Sequence, residues 1–507
     1  MPSRSRRILR SFFVACLAFV AIGSAGAQSP PVPPRDTTAF VDVNVLSMDR
    51  EGTLHHQTVV VVDGVVVAIG RSVAVPDGAR IVDGRGSAWL LPGLADMHNH
   101  VHRQQDLELQ LALGVTTTLH MGEAPHHFVG RTRAAIEAGE RAGPRTLVAL
   151  AVDGSPRYGH LVVADADDAR AAVRIARSNG YGFIKVYNTL PAAAFAALAA
   201  EAGEQGIGLV GHGVADVGLR AQLEAGQSLV AHAEEFFYTF FPIPAGEDPN
   251  AAPDEDRIAL AVDLLRRHGA AVVADLVTYE TIARQWGRPD VVEAFLRSPE
   301  SRYLHPELRV SWPLQGYARR SGSLEDRLRF LRRFVRAMHE AGVPLLSGTD
   351  APDIPGLLPG YALHRNLAAL VEAGLDPQAA LATATRVPGE FVRRHRPELP
   401  VSGVVAEGAR ADLLLVAADP LADLAPLAAP LGVMADGRWY PREDLDARKR
   451  SILEAYARAA ASAREAGSRQ ADATGITDRR LVLPDAIACA ARSSCPGSWR
   501  TPAGRGR

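Results

Sequence analysis

Cysteine is almost missing from this 507-residue chain: three occur, at positions 16, 489 and 495. No Cys-x-x-Cys pair exists, so a thiolate metal clip is excluded, and any bound metal must rest on nitrogen and oxygen. A surplus of charge of one sign is also lacking. With 55 basic and 57 acidic residues the net charge is -2, which argues against nucleic acid as a partner, since binding phosphates needs a concentrated basic surface. No apolar run reaches the roughly 20 residues that cross a bilayer, so no stable membrane anchor is expected. No glycine-rich phosphate fingerprint follows a strand. Chemistry must therefore lie in local constellations.

What is present begins with an export signal over residues 1–27. "MPSRSRRILR" is basic, "SFFVACLAFVAIG" apolar, and "SAGA" places Ala25 and Ala27 in the small-x-small arrangement for cleavage after Ala27. The expected location is periplasmic or secreted. Arg6 and Arg7 leave general and twin-arginine export both open. Removal of the four arginines in this segment leaves 51 basic against 57 acidic residues. In an oxidising compartment Cys489 and Cys495, in "CAARSSC", can pair.

A mature chain of this length exceeds one hydrophobic core and predicts two or more units. Residues 36–90 read as short strands. "TVVVVDGVVVAIG" carries Asp63-Gly64 between two valine-rich runs, a hairpin signal. Residues 401–442 look alike, and the two ends together predict one small β-sandwich. Between them, over 91–400, eight apolar runs alternate with Ala-, Leu- and Arg-rich helical stretches: "LLPGLADMH", "VTTTLHM", "RTLVALAVDG", "GFIKVY", "GIGLVGH", "SLVAHAEE", "AAVVADLV" and "VPLLSGTD". That alternation predicts an α/β fold, a (β/α)8 TIM barrel. The segment 280–340 reads as an unusually long connection, of the kind that forms lids. Residues 443–507 read as a terminal helix and a loosely ordered tail.

In such a barrel the C-terminal strand ends converge on one site. "LADMHNHVH" puts His98, His100 and His102 at alternate positions, which share one face of an extended chain. Reading the other strand ends adds Lys185, His212, His232 and Asp350. One histidine at a strand end is cheap among 16 in the chain; several, with a lysine and an aspartate, are not. Imidazole and carboxylate are good donors to zinc, which depresses the pKa of bound water towards neutrality.

"PGLADMHNH", "FIKVY", "VGHGVADVGLRAQLEAGQSLVAHAEE" and "LLSGTDAP" resemble the metal-binding segments of the amidohydrolase superfamily, in its imidazolonepropionase-like and Xaa-Pro dipeptidase-like branch. "GVVAEGARADLLLVAADPLADL" and "ATATRVPGEF" resemble that branch's sandwich segment and the helix before it. The similarity covers about residues 38–442. It implies two divalent cations, zinc first among them, bridged by hydroxide and by a lysine carboxylated on its amine. Carried over, His98 and His100 hold the more buried ion, His212 and His232 the outer one, Lys185 bridges, and Asp350 binds metal and serves as general base and acid. A free lysine ammonium would be repelled by two dications, whereas a carbamate on Lys185 supplies two oxygens and a negative charge.

Further candidates line the substrate pocket. His160 follows strand three, with Arg157 and Tyr158 as alternatives. Tyr187 shares a face with Lys185 and either bonds a substrate carbonyl or packs. His102 and His120 stand near the barrel mouth as pocket or loop residues. His364 and Asn366 stand where relatives show a His-x-Glu pair, and the Asn removes a carboxylate there. Arg302 or Tyr303 can reach a substrate carboxylate from the long segment, unless that segment is a solvated lid. His55, His56, His126, His127, His268, His339 and His395 read as surface. The expected function is hydrolysis of an amide-type C–N bond in an Xaa-Pro dipeptide-like or N-acyl amino acid-like substrate. Cyclic amides, lactones or esters suit the same chemistry. A non-catalytic periplasmic binding protein would predict lost ligands, and none of the six is missing. A small-molecule or dipeptide-like partner is expected, and homo-oligomerisation is left open.

Overall fold

The valine-rich segments at the start of the chain pair as the Asp63-Gly64 signal predicts. The computed structural model describes residues 29–241, 243 and 246–474, with side chains to 462. The export segment, Cys489 and Cys495 lie outside the described residues. Strands β1 (Thr38–Val45), β2 (Leu54–Val62), β3 (Val65–Gly70), β4 (Arg80–Asp83) and β5 (Trp89–Pro92) come first. β2 and β3 form an antiparallel hairpin with Val62 opposite Val65. Its two turn residues have φ of 49° and 81°, the left-handed pair that a tight hairpin needs.

The barrel follows: β6 (Leu94–Asn99), β7 (Val115–His120), β8 (Arg145–Asp153) with the short β9 (Leu161–Val162) beside it, β10 (Phe183–Val186), β11 (Gly208–Gly211), β12 (Leu229–Val230), β13 (Ala271–Val273) and β14 (Leu345–Leu346). Leaving β9 aside, these are eight parallel strands in sequential order from β6 to β14. Closure comes from the backbone: Met97 N–H donates to the Ser347 carbonyl at 2.8 Å, and the Thr349 and Asp350 amides both donate to His98 O at 2.9 and 2.8 Å. The eight runs legible in the sequence are these eight strands.

Helices cover the outside because their apolar residues recur on one face. In Ala166–Ser178 the buried residues are Ala169, Ala172, Val173 and Ala176, and Asp165 caps the helix by accepting from the amides of Asp167 and Asp168. The helix Arg386–His395 closes the barrel's N-terminal end, its Phe391 stacked on Phe183 of β10 at 5.7 Å. His395 is therefore no surface residue. It is half-buried against Phe391 and Phe183, and burial pushes its pKa down to about 4. This apolar plug fills the barrel axis at that end and leaves the axis open at the other.

Strands β15 (Leu413–Val416), β16 (Gly432–Ala435) and β17 (Arg438–Pro441) return to the first sheet, giving the order β17-β16-β15-β5-β1-β2-β3, with β4 on β1. Both chain ends thus build one sheet. Its strands form one continuous sheet that curls over its own core, the small additional domain expected from the two chain ends. Phe40 on β1 and Trp439 on β17 are four places apart in that order, yet their rings meet edge to face at 5.1 Å. The helix Arg442–Thr474 follows.

The segment 280–340 is largely helical, not an open lid, with helices at Leu276–Gln285, Pro289–Arg297, Pro306–Ser311 and Glu325–Glu340. Tyr303 within it is buried against Leu109, Leu113 and Ile452 and stacks near Tyr361. Arg302 lies over the Tyr303 ring. This pair faces the terminal helix, so the expected carboxylate contact is not what the fold provides. No helix among the described residues is long and apolar enough to cross a membrane.

The Phe40–Trp439 contact holds the curled sheet closed. Trp439→Ala is expected to destabilise the protein by roughly 3–5 kcal/mol, the cost of a buried aromatic truncation, read as a lower midpoint in denaturant unfolding.

Candidate metal centre

Strand register sets the height of each functional side chain. Val186 of β10 pairs with Gly211 of β11, and Gly211 pairs with Val230 of β12. Lys185 therefore sits one residue below that rung, His212 one above and His232 two above. Lys185 is buried, and its stem passes Gly211. A Cβ there would lie 3.2 Å from Lys185 Cγ and 2.4 Å from Val186 O, at a φ of +128°. Only glycine leaves that path open. Gly348 does the same service for His98, since a Cβ on it would stand 2.8 Å from the His98 Cβ.

The four histidines of the expected ligand set converge. Ring centroids are 4.2 Å apart for His98 and His232, 5.1 Å for His212 and His232, and 5.5 Å for His98 and His100. Asp350, held at a left-handed φ of 54°, places Oδ1 3.1 Å from His100 Nε2 and 3.2 Å from His98 Nε2. Donor atoms of His98, His232 and Asp350 all lie within 4.8 Å of one another. The Lys185 ammonium lies over the Tyr187 ring at 5.5 Å.

Three of the imidazoles are hydrogen-bonded through Nδ1 and the fourth, His100, has a carboxylate beside its Nδ1, which leaves Nε2 of each towards the centre. His98 Nδ1 donates to the Ala231 carbonyl at 3.0 Å. His212 Nδ1 meets Glu235 Oε1 at 2.7 Å, and that carboxylate also accepts from the Gly213 amide. His232 Nδ1 meets Asp275 Oδ2 at 2.5 Å, and His100 Nδ1 lies 2.8 Å from Glu123 Oε2. Metal-ligating histidines characteristically give their other N–H to a carboxylate or carbonyl, which fixes tautomer and ring angle. Three such tethers and a carboxylate beside the fourth Nδ1 are the pattern of a ligand set.

The donor chemistry fits divalent cations on two further counts. His98 Nε2 is buried with no hydrogen-bond partner even though Asp350 is near, and such an orphan is costly unless something binds it. Two donors 3.1–3.2 Å apart also match two ligands of one ion at about 2.0–2.1 Å each. The carboxylates draw positive charge into the site. Burial alone would lower His100, but Asp353, Glu123 and Asp350 outweigh it and hold its pKa well above the ordinary value. Burial likewise opposes His232, which Asp275 and Glu234 carry up to about 10. His212, chiefly through burial, falls to about 4. Asp350 stays well below the usual carboxylate range despite burial, because the His100 and His98 imidazoles lie against it.

The pocket candidates divide. His160 is buried, bonded through Nε2 to Glu123, with Nδ1 buried and unpartnered. Its ring packs on Tyr187 at 4.5 Å, and Tyr187 lies 4.2 Å from His212. His120 and His102 pack on one another and on Phe128 beside the site. Burial brings His102 to about 4 and His120 well below its ordinary value. Asn366 is fully buried, bonding Ala274 O, Ser347 Oγ and the Val277 amide. It pins β13 to β14 from outside, and His364 is spent on the Leu113 carbonyl; neither faces the ligand cluster.

Sequence reasoning misses the carboxylates behind the ligands. Asp275 stands two residues past β13, the strand to which it assigns no ligand, and that vacancy is the available signal. Glu235 is the second acid of "HAEE". Glu123 and Asp353 sit in irregular turns, where spacing carries no information.

With this geometry in hand, comparison with known proteins adds lineage. The profile of the amidohydrolase family matches residues 89–440. The chain belongs to that family. It is a hydrolase acting on C–N bonds, in a family that generally binds divalent metals. Among solved structures it is similar to a bottromycin amidohydrolase, with TM-score 0.65, 28% identity, and coverage of 83% of this chain and 91% of that one. A putative prolidase from Bifidobacterium longum gives TM-score 0.59 and 22% identity, covering 83% of this chain and 100% of that one. A Xaa-Pro dipeptidase with bound methionine gives TM-score 0.58 and 19%, covering 80% and 100%. These last two share the fold. Comparison with curated proteins gives no match.

If the tethers orient the imidazoles, Asp275→Ala and Glu235→Ala should each weaken metal retention about 10–100-fold. Chelator competition, read as metal content at each chelator concentration, measures this directly.

Proposed function

We propose that the chain is a metal-dependent hydrolase that cleaves the amide bond of a small dipeptide-like substrate, Xaa-Pro dipeptides first. The observation that supports the reading is four clustered imidazoles, three of them hydrogen-bonded at Nδ1, with Asp350 Oδ1 beside His98 and His100. His98 and His100 would hold one divalent cation and His212 and His232 a second. Lys185, as a carbamate, would bridge them with Asp350 alongside. Such ions supply Lewis acidity towards a carbonyl oxygen and lower the pKa of water.

The remaining work falls to the chain's own groups. Asp350 Oδ1, aligned on two imidazole nitrogens, takes the proton released as water adds to the carbonyl carbon and returns it to the departing nitrogen. Asp275, Glu235, Glu123 and the Ala231 carbonyl sit at Nδ1 of the four histidines and so turn each Nε2 towards the centre. His160, with Nε2 committed to Glu123, offers Nδ1 as an acceptor for a substrate N–H. Tyr187 stands beside it as a donor.

Substrate class follows from charge. Glu123 and Asp353 bring two carboxylates to His100 from the rim, and burial lifts Asp353 only to about 6. Such a rim suits the protonated amine of a free dipeptide better than a blocked N-acyl group. The prolidase and dipeptidase that share the fold suggest where to begin.

Chelation should abolish amide hydrolysis and added zinc restore it. Asp350→Asn should lower kcat by about 10²–10⁴-fold, and Lys185→Ala should lower metal stoichiometry in elemental analysis. Unchanged turnover in Asp350→Asn would refute the mechanism. Separately, kcat/KM should favour a free Xaa-Pro dipeptide over its N-acetyl form, and Glu123→Gln should narrow that preference. Equal rates on both forms would remove the case for amine recognition while leaving the metal reading intact.

A further inference from the structure

A second group of charges lies at the opposite end of the barrel. Arg145 opens β8, while Lys185 of the metal centre pairs with Ala151, six residues further along that strand, roughly 20 Å away at ~3.3 Å per residue. Here the barrel base meets the β16–β17 hairpin, and a cavity of about 20 Å³ lies between them. Arg141, Arg145, Arg410 and Arg438 line it, with Glu137 and Asp436.

Half of these charges are already spent. Asp436 accepts from Arg410 at 2.8 Å, from Arg438 at 2.9 Å and from Arg35. Arg410 also bonds Asp412 at 2.8 Å. Arg438 reaches this position because residue 139 is glycine; a Cβ there would lie 2.1 Å from its guanidinium. Arg145 is not among them. It is 6% exposed, and Nη2 donates to Ser402 Oγ at 2.9 Å, but Nε and Nη1 are buried with no partner. Burial, with Arg410 close by, pushes its pKa down to about 10. Around the cavity four guanidiniums face three carboxylates, Asp412 included.

A buried guanidinium with two unmet N–H donors costs several kcal/mol unless an acceptor reaches it. We infer that this cavity is a binding site for a small inorganic anion, of halide size, held by the Nε and Nη1 donors of Arg145. Size decides the class. A body the size of water needs about 10–15 Å³, so the space beside Arg145 takes one or two small bodies. The excess of guanidinium over carboxylate favours an anion over neutral water. Chloride is the occupant the chemistry fits. Bound there, it cross-links the barrel base to the curled sheet and stabilises their seam. This inference is independent of the proposed hydrolysis.

The full-length purified protein can test it by thermal unfolding in chloride against gluconate at constant ionic strength, so that general screening does not change. The expected result is a saturable rise in Tm of about 2–4 °C with chloride. The rise should be lost in Arg145→Met and reduced in Arg141→Ala, whose exposed side chain makes misfolding less of a concern. In crystals of the wild-type protein grown with bromide, an anomalous peak beside Arg145 should appear, which requires no variant. A Tm that does not respond to chloride, a rise that persists in both variants, or a cavity holding water alone in bromide would each overturn the assignment.

Discussion

Crowding of like donors is the constraint on which this molecule depends. Four imidazoles, a lysine and an aspartate are forced into one barrel mouth, where burial removes the water that would otherwise solvate them. Hydrogen bonds among themselves do not suffice, since His98 Nε2 stays orphaned within 3.2 Å of a carboxylate. Such a cluster is stable only if something positively charged is shared among its members. Divalent metal, which the family generally binds, would meet that demand.

A ring of carboxylates and one carbonyl supports the donors. Asp275, Glu235, Glu123 and Ala231 O each stand at an Nδ1 and so decide which nitrogen faces the centre. Glu123 does more, since its second oxygen bonds His160. One side chain thereby couples the aim of a ligand to the shape of the pocket. Asp350 completes the set from β14, where the backbone link to His98 O also closes the barrel. Fold closure and site assembly are one event, which explains why a strained left-handed residue is retained at this point.

The opposite end of the barrel is organised by packing. The Phe391 helix seals the interior, and the curled sheet leans on the base through a lattice of arginine and aspartate. Rigidity there frees the C-terminal loops to carry chemistry, the usual division of labour in this architecture.

Much of this was legible in the residues alone. The eight apolar runs, the hairpin at Asp63-Gly64 and the strand-end donors at 98, 100, 185, 212, 232 and 350 follow from periodicity and from the rule that barrel strands point their ends at one site. The sequence also showed that two distant segments are of one kind, though not that they join in a single curled sheet. What it did not show lies in contacts between elements remote along the chain. Nothing near Asp275 marks it as the partner of His232, 43 residues away, and nothing in "MGEAP" announces that Glu123 bridges two histidines. Asn366, Tyr303 and His395 read as pocket or surface residues because their types allow either. Only packing assigns them to a strand clamp, a helix seam and the barrel floor. Local pattern fixes which way a side chain points along its own strand or helix. Which partner it meets depends on where the chain returns, and that is decided by the burial of the whole core.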